Sequence, residues 1–199
     1  MNEIMLSIRP KWCELIASGR KTIEIRKTKP KCDVPFKVYI YCTKQRVNGE
    51  ILLTYDKKIE GRNKGFRDRG DIPLAGKVIG EFICDRIVNV DCDSVAPFDK
   101  DSGSYIDKQI CIDREQFLEY TRFRCCFGWH ISDLIIYDKP KELSDFYKPC
   151  IYGEESDISC FLCDKSGYRP DMYIDCFNKV TRPPQSWCYV EKERESNDE

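Results

Sequence analysis

Ser18-Gly19-Arg20-Lys21-Thr22-Ile23-Glu24-Ile25-Arg26-Lys27 holds a helix end, a turn and a strand in ten residues, and the fold is read outward from it. Before it, Pro10 to Ser18 reads as a short amphipathic helix, with Pro10 at the first helical position and Trp12, Leu15 and Ile16 at helical spacing. Gly19 is the stop, because the residue after a helix commonly turns left-handed and glycine does so without a Cβ penalty. Thr22, Ile23 and Ile25 are β-branched and favour an extended chain. Alternation then puts Thr22, Glu24 and Arg26 on one face of the strand and Ile23 and Ile25 on the other. The expectation is a strand that gives two isoleucines to a core and lines a polar surface with Glu24 and Arg26. Lys21, at the turn, is within reach of either. An exposed charge ladder is the alternative reading of the same spacing.

The remaining chain supplies strands and loops around that unit. Ile4, Leu6 and Ile8 alternate as a first strand, and Lys37-Val38-Tyr39-Ile40-Tyr41-Cys42-Thr43 reads as another. Residues 27–35, with Pro30 and Pro35, read as loop, and 49–55 as a strand or loop rim. Residues 56–75 are charged and carry Gly61, Gly65 and Gly70, the pattern of a mobile excursion. Lys77 to Val90 is a long strand pattern with a bend expected at Asp85-Arg86, and Asp91 to Ile110 reads as polar loop. Asp113, with Gln116 three residues on, marks the start of a short helix carrying Phe117, Leu118 and Tyr120. Phe127 to Tyr137 returns as strand, and Glu191 to Glu199 reads as a frayed tail.

At 199 residues, 41% hydrophobic and 34% charged, the chain suits one domain with a sizeable insertion. No apolar run reaches the ~20 residues of a membrane span, and the first residues do not read as a secretory signal, so a cytoplasmic setting is expected. The formal net charge of −1 argues against broad electrostatic affinity for nucleic acid. Its distribution is uneven. From Arg9 to Lys31 there are eight bases against two acids, and from Lys57 to Arg69 six against two. A basic side around the central stretch and a merely solvated face both fit this count.

The run Gly19-x-Lys21-x-x-Glu24-x-Arg26 after a short helix resembles the hallmark of the ASCH domain, a branch of the PUA-like superfamily. Three later stretches, in family order, strengthen the resemblance: Gly76 to Phe82, Gly128 to Asp133, and Pro183 to Val190. It implies an α+β fold, a small, mostly antiparallel, partly open β-barrel with two or three short helices, spanning residues 1–191. It also implies a cleft between the first helix and the barrel that binds RNA or nucleotide-like ligands. Lys21, Glu24 and Arg26 would line that cleft, with Trp129, His130, Gln185, Ser186 and Trp187 nearby. The chemistry suits such a ligand. Lys21 and Arg26 can meet phosphate or carbonyl oxygen, Glu24 can accept from an exocyclic amine, and tryptophan can wall an unstacked base. His130 is the single histidine, and a lone histidine on a strand is as readily structural. Glu81 reads as a rim carboxylate.

Three further functions stay open. Some small relatives share the Gly-Arg-Lys-Thr-Ile run and hydrolyse the acetyl amide of N4-acetylcytidine with a lysine, a threonine and a glutamate. Lys21 matches that lysine, whereas Glu24 stands at the threonine's position. A ribonuclease is the other enzymatic reading, without a two-histidine acid–base pair. A module whose basic face binds an acidic protein is the third alternative.

Thirteen cysteines, an odd number, do not suit a secreted disulfide framework. Cys13, Cys42 and Cys84 fall where small apolar residues would, as buried thiols. Cys150, Cys160, Cys163 and Cys176 differ. Cys160-x-x-Cys163 can turn two sulfurs to one point, and the flanking pair completes the four ligands of structural zinc within an insertion spanning 147–180.

Overall fold

Alternating apolar residues build the first strand, β1 (Glu3–Ile8), in which Ile4, Leu6 and Ile8 are buried on one side. The computed structural model describes residues 1–44, 46–47, 50–51, 74–91, 97–149 and 179–192. Helix α1 (Pro10–Ala17) follows, and Gly19 closes it with φ +72°. Then come β2 (Ile23–Arg26), β3 (Phe36–Cys42) and a hairpin of β4 (Arg46–Val47) and β5 (Glu50–Ile51). Beyond it lie β6 (Val78–Cys84), β7 (Ile87–Asp91), β8 (Phe98–Asp99) and β9 (Ser104–Tyr105). Helices α2 (Asp107–Ile110) and α3 (Arg114–Thr121) precede β10 (Cys126–His130) and β11 (Ser132–Lys141). A 3-10 turn at Leu143–Asp145, then β12 (Phe146–Tyr147), β13 (Trp187–Tyr189) and β14 (Glu191–Lys192) complete the described chain.

Two five-stranded sheets organise these elements. The first has the order β11-β6-β3-β1-β13 and the second β2-β10-β7-β8-β9. Only β1 and β3 pair in parallel within them; the other pairs are antiparallel. The sheets face each other without closing into a barrel, which is the expected mixed, mostly antiparallel class. One apolar layer fills the space between them, with Leu6, Phe36, Val38, Ile40 and Phe82 from the first sheet and Trp129 from the second. Cys13 and Ile16 of α1 enter the same layer. A second layer packs Ile23, Ile25, Val88 and Val90 beneath Ile110 and Phe117. A third, on the outer face of the first sheet, holds Met5, Tyr39, Phe146, Val180 and Val190.

Several expectations gain detail. The strand pattern from Lys77 to Val90 divides at Asp85-Arg86 into β6 and β7, which belong to different sheets. The run from Phe127 to Tyr137 divides likewise at Ile131. Residues 91–110, read as loop, contain β8, β9 and α2; two-residue strands and a one-turn helix are too short to leave a periodic signal. Asp113 caps α3 by accepting from the Gln116 amide at 2.8 Å. Cys13, Cys42 and Cys84 are buried, and burial pushes the Cys84 thiol up to about 12. Most of the cysteine-rich segment, 150–178, and the basic stretch 57–69 lie outside the described residues. The ends flanking that segment meet, with Val180 N–H donating to Phe146 O at 2.8 Å. No helix among the described residues is long and apolar enough to cross a membrane.

Gly128 sets how tightly β10 is held by its neighbours. A Cβ there would stand 2.6 Å from Val88 Cγ2 and 2.8 Å from Ile23 Cγ2. Both are β-branched side chains with little rotamer freedom. Gly128→Val should therefore destabilise the protein by about 1–3 kcal/mol, the cost of overpacking a core, as read from urea midpoints at constant m.

Candidate functional site

Strand β2 is buried along its whole length. The isoleucines go to the layer beneath the helices, as the alternation requires, but Glu24 and Arg26 do not line an exposed surface. They face the layer between the sheets at 6% and 8% exposure, and Lys21 at 1% is more deeply buried than either. The alternation of β2 separates its faces correctly; the first sheet and α1 then cover the polar one.

Three charges in that setting must satisfy one another, because an unpaired buried charge costs several kcal/mol. Glu24 Oε2 lies 3.3 Å from Lys21 Nζ and Glu24 Oε1 lies 3.0 Å from Arg26 Nη2. Backbone carbonyls take further donors. Lys21 Nζ donates to Ile110 O at 2.6 Å, placing a cation on the carbonyl end of α2, and Arg26 Nη2 donates to Ser7 O at 2.8 Å. The Lys21 ammonium also stands 5.2 Å from the centroid of the Trp12 ring. Burial lowers the pKa of Lys21 from its ordinary value, while Glu24 pulls it back up.

The layer beside this triad carries two unfilled donors. Among the described residues, Arg26 Nε and Trp129 Nε1 are the buried side-chain polar atoms without a hydrogen-bond partner. They belong to adjacent strands. Trp129 lies opposite Glu24 and Phe127 opposite Arg26, so Arg26 and Trp129 are diagonal neighbours on one sheet face. The Trp129 ring meets Phe36 edge-on at 5.4 Å and Trp187 at 6.0 Å. An open cleft of about 500 Å3, lined by residues 29–34 and Ile87, adjoins this region. Ile87 pairs with Trp129 in register, and Cys32 packs against the same layer. None of the triad residues lines the cleft.

The other candidates divide. Trp187 is half-buried beside Trp129 and donates from Nε1 to Thr28 Oγ1 at 3.0 Å. Gln185 is exposed. Ser186 contributes its carbonyl, which accepts from Ser7 N–H at 2.9 Å, and Pro184 O takes the Ser7 hydroxyl at 2.7 Å. The Pro183–Trp187 run thus reaches Arg26 through Ser7. His130, one residue from Trp129, is on the opposite face of β10, and its Nδ1 pairs with Asp85 Oδ1 at 2.6 Å. Glu81 lies on the outer face of the first sheet, bonded to Tyr137 and 3.2 Å from Lys37 Nζ. Burial would raise its pKa, but those two partners outweigh it and hold the carboxyl below its usual range. Cys150, Cys160, Cys163 and Cys176 fall outside the described residues, and the described ones contain no cluster of three or more groups able to hold a metal. Sequence reasoning passed over Ser7, whose signal was a lone hydroxyl in an apolar strand, and Ile110, whose carbonyl leaves no signal.

The family model for the ASCH domain matches residues 6–121, which include α1, the triad, α2 and α3. The chain belongs to the ASCH domain family. It is similar in structure to an ASCH protein from Zymomonas mobilis, with a TM-score of 0.52 at 17% identity over 96% of this chain and 89% of that one. A Tyr→Phe variant of that protein gives a TM-score of 0.52 at 16% identity over 96% and 92%, and a Ser→Ala variant 0.51 at 16% over 96% and 89%. At such identity the likeness speaks for the fold alone. No curated protein matches the chain.

The triad of this ASCH domain should be sensitive to loss of its single acid. Glu24→Gln leaves two buried cations opposed by no carboxylate, and should cost about 3–5 kcal/mol in urea unfolding. In the wild type, Lys21 should titrate below 10.5, and in Glu24→Gln lower still, as followed by lysine-selective NMR. The folded pKa is the lower one. Between it and the ordinary value the unfolded chain binds more protons, so this group's contribution to stability rises with pH there.

Proposed function

We propose that this ASCH domain binds RNA or a nucleotide-like ligand, with a base held between the sheets beside Trp129 and Arg26. The single observation that carries this reading is the pair of buried, unpaired donors on one sheet face. Buried polar groups are almost always satisfied, so two orphans at diagonal positions on neighbouring strands call for an acceptor. A base carbonyl or a phosphate oxygen supplies one. Three further features support the same ligand. The triad carries two cations to one anion, Trp187 offers an indole wall, and an open cleft lies on the side of Ile87, the register partner of Trp129. Proteins commonly recognise RNA through unstacked bases held against aromatic side chains.

Trp129→Phe removes the indole N–H and keeps an aromatic ring; Arg26→Lys keeps the charge and removes Nε. Each should weaken binding of a fluorescein-labelled single-stranded RNA about tenfold at low salt, the scale of one buried hydrogen bond, in fluorescence anisotropy. Wild-type affinity in both folded variants would sink the reading.

A second reading has an observation of its own. Burial lowers the pKa of the Lys21 amine, as a lysine nucleophile or base requires, and favours the amidohydrolase alternative. Glu24 at 3.3 Å opposes that shift. Incubation with N4-acetylcytidine, followed by mass spectrometry beside Lys21→Ala, separates the two. Product that vanishes with the substitution makes the chain a hydrolase; no product, with RNA binding retained in the wild type, leaves a binding module.

We also propose a structural zinc held by Cys150, Cys160, Cys163 and Cys176, on their spacing. Purified, reduced protein should carry one zinc per chain by elemental analysis, and Cys160→Ser should lose it.

A further inference from the structure

The turn between α3 and β10 is built unusually for a surface loop. Arg122 and Phe123 are both left-handed, with φ of 54° and 57°. Neither is glycine, and two successive left-handed residues with bulky side chains are held against the chain's preference. The result is a phenylalanine 71% exposed, between Arg122 and Arg124, which are exposed as well. Nothing in the packing of α3 uses that ring, because Phe117 and Leu118 supply the helix's apolar contacts.

This turn does not stand alone. Strands β2 and β10 are antiparallel, so the end of β2 at Arg26 and the start of β10 at Cys126 lie at one edge of the sheet. Tyr120, 37% exposed, donates from its hydroxyl to Ile25 O at 3.3 Å and so covers that edge. Lys27 Nζ stands 5.1 Å from the Tyr120 centroid, and Lys29 Nζ stands 5.4 Å from that of Phe127. Four exposed bases (Lys27, Lys29, Arg122 and Arg124) therefore interleave with rings around one strand end, with Glu119 and Asp33 the nearest exposed acids in sequence. The same strand end carries Arg26, whose guanidinium acts on the Tyr120 hydroxyl by charge and by hydrogen bonding, against the rise that burial imposes. Lys29 also lines the cleft.

We propose that this edge is a second nucleotide subsite, where Phe123 stacks a base of single-stranded RNA and Lys27, Lys29, Arg122 and Arg124 meet its phosphates. It rests on the RNA-binding reading above and extends it from one nucleotide to a strand. A strand whose base sits beside Trp129 leaves the cleft past Lys29 and crosses Tyr120 to Phe123. Exposed rings among cations are the chemistry of sequence-tolerant single-strand binding. An acidic peptide would be attracted by the same bases but would make no use of an exposed ring held in a strained turn.

The full-length protein tests this with two probes, cytidine 5′-monophosphate and a fluorescein-labelled mixed-sequence RNA octamer. The octamer should bind at least tenfold more tightly than the mononucleotide, and with a steeper dependence on salt. Phe123→Ala should lower octamer affinity about tenfold and leave mononucleotide affinity unchanged. Arg122→Gln with Arg124→Gln should weaken the octamer and flatten its salt slope. The subsite is refuted if Phe123→Ala binds the octamer as the wild type does, or if a poly-glutamate peptide displaces the octamer at equal concentration. The two proposals fail differently. Octamer binding that is indifferent to Trp129→Phe but lost in Phe123→Ala would retain the edge subsite and overturn the buried one.

Discussion

A strand with both faces buried cannot carry charge unless the charges answer one another, and β2 carries Glu24 and Arg26 with Lys21 at its start. The two contacts to Glu24 are what make this strand compatible with its place between layers. Neither is a surface ion pair of the kind that contributes little. Each partner is also fastened to backbone, Lys21 to the end of α2 and Arg26 to β1. The triad consequently joins the second sheet to the helix beneath it and to the first sheet across from it. Removing the acid would disturb three elements, not one contact.

The stoichiometry of the triad has a consequence for chemistry. Two cations face one anion in a layer otherwise made of apolar side chains. The local excess is one positive charge, and Arg26 retains an N–H that the carboxylate and the Ser7 carbonyl leave unused. Trp129 Nε1 adds a second on the neighbouring strand. A site of this kind favours an oxygen acceptor with negative or partial negative charge, and disfavours a cation.

Much of the local structure was legible in the sequence because it depends on near neighbours. Pro10 and Gly19 bound α1, Asp113 caps α3, and Asp85-Arg86 breaks the long strand pattern, all through interactions within a few residues. What surrounds a face was not legible. Alternation puts Glu24 and Arg26 together but is silent on whether water or a second sheet lies over them. The same limit separates Trp129 from His130. Adjacent in a motif, they emerge on opposite faces of β10, one into the layer between the sheets and the other to Asp85 at the surface. The ASCH signature singled out the ten residues that carry the triad; their depth came from packing between segments far apart in the chain, such as Lys21 with Ile110 and Arg26 with Ser7.

The outer face of the first sheet offers a useful contrast with the triad. Tyr39 donates to Glu3 at 3.0 Å, Tyr137 bonds Glu81, and Lys37 approaches Glu81 at 3.2 Å. Burial and these carboxylates push both tyrosine hydroxyls up from their ordinary range, so they stay protonated and keep donating. Tyrosines, carboxylates and a lysine are as suggestive of chemistry as the triad is, yet none of these polar atoms is a buried orphan. That network closes on itself and serves the sheet. The network around Arg26 stays open by two donors, at the end of the strand where Tyr120, Phe123 and four bases reach solvent. Incomplete satisfaction, and not the mere presence of charge, is what distinguishes the Arg26 network from the closed one on the outer face.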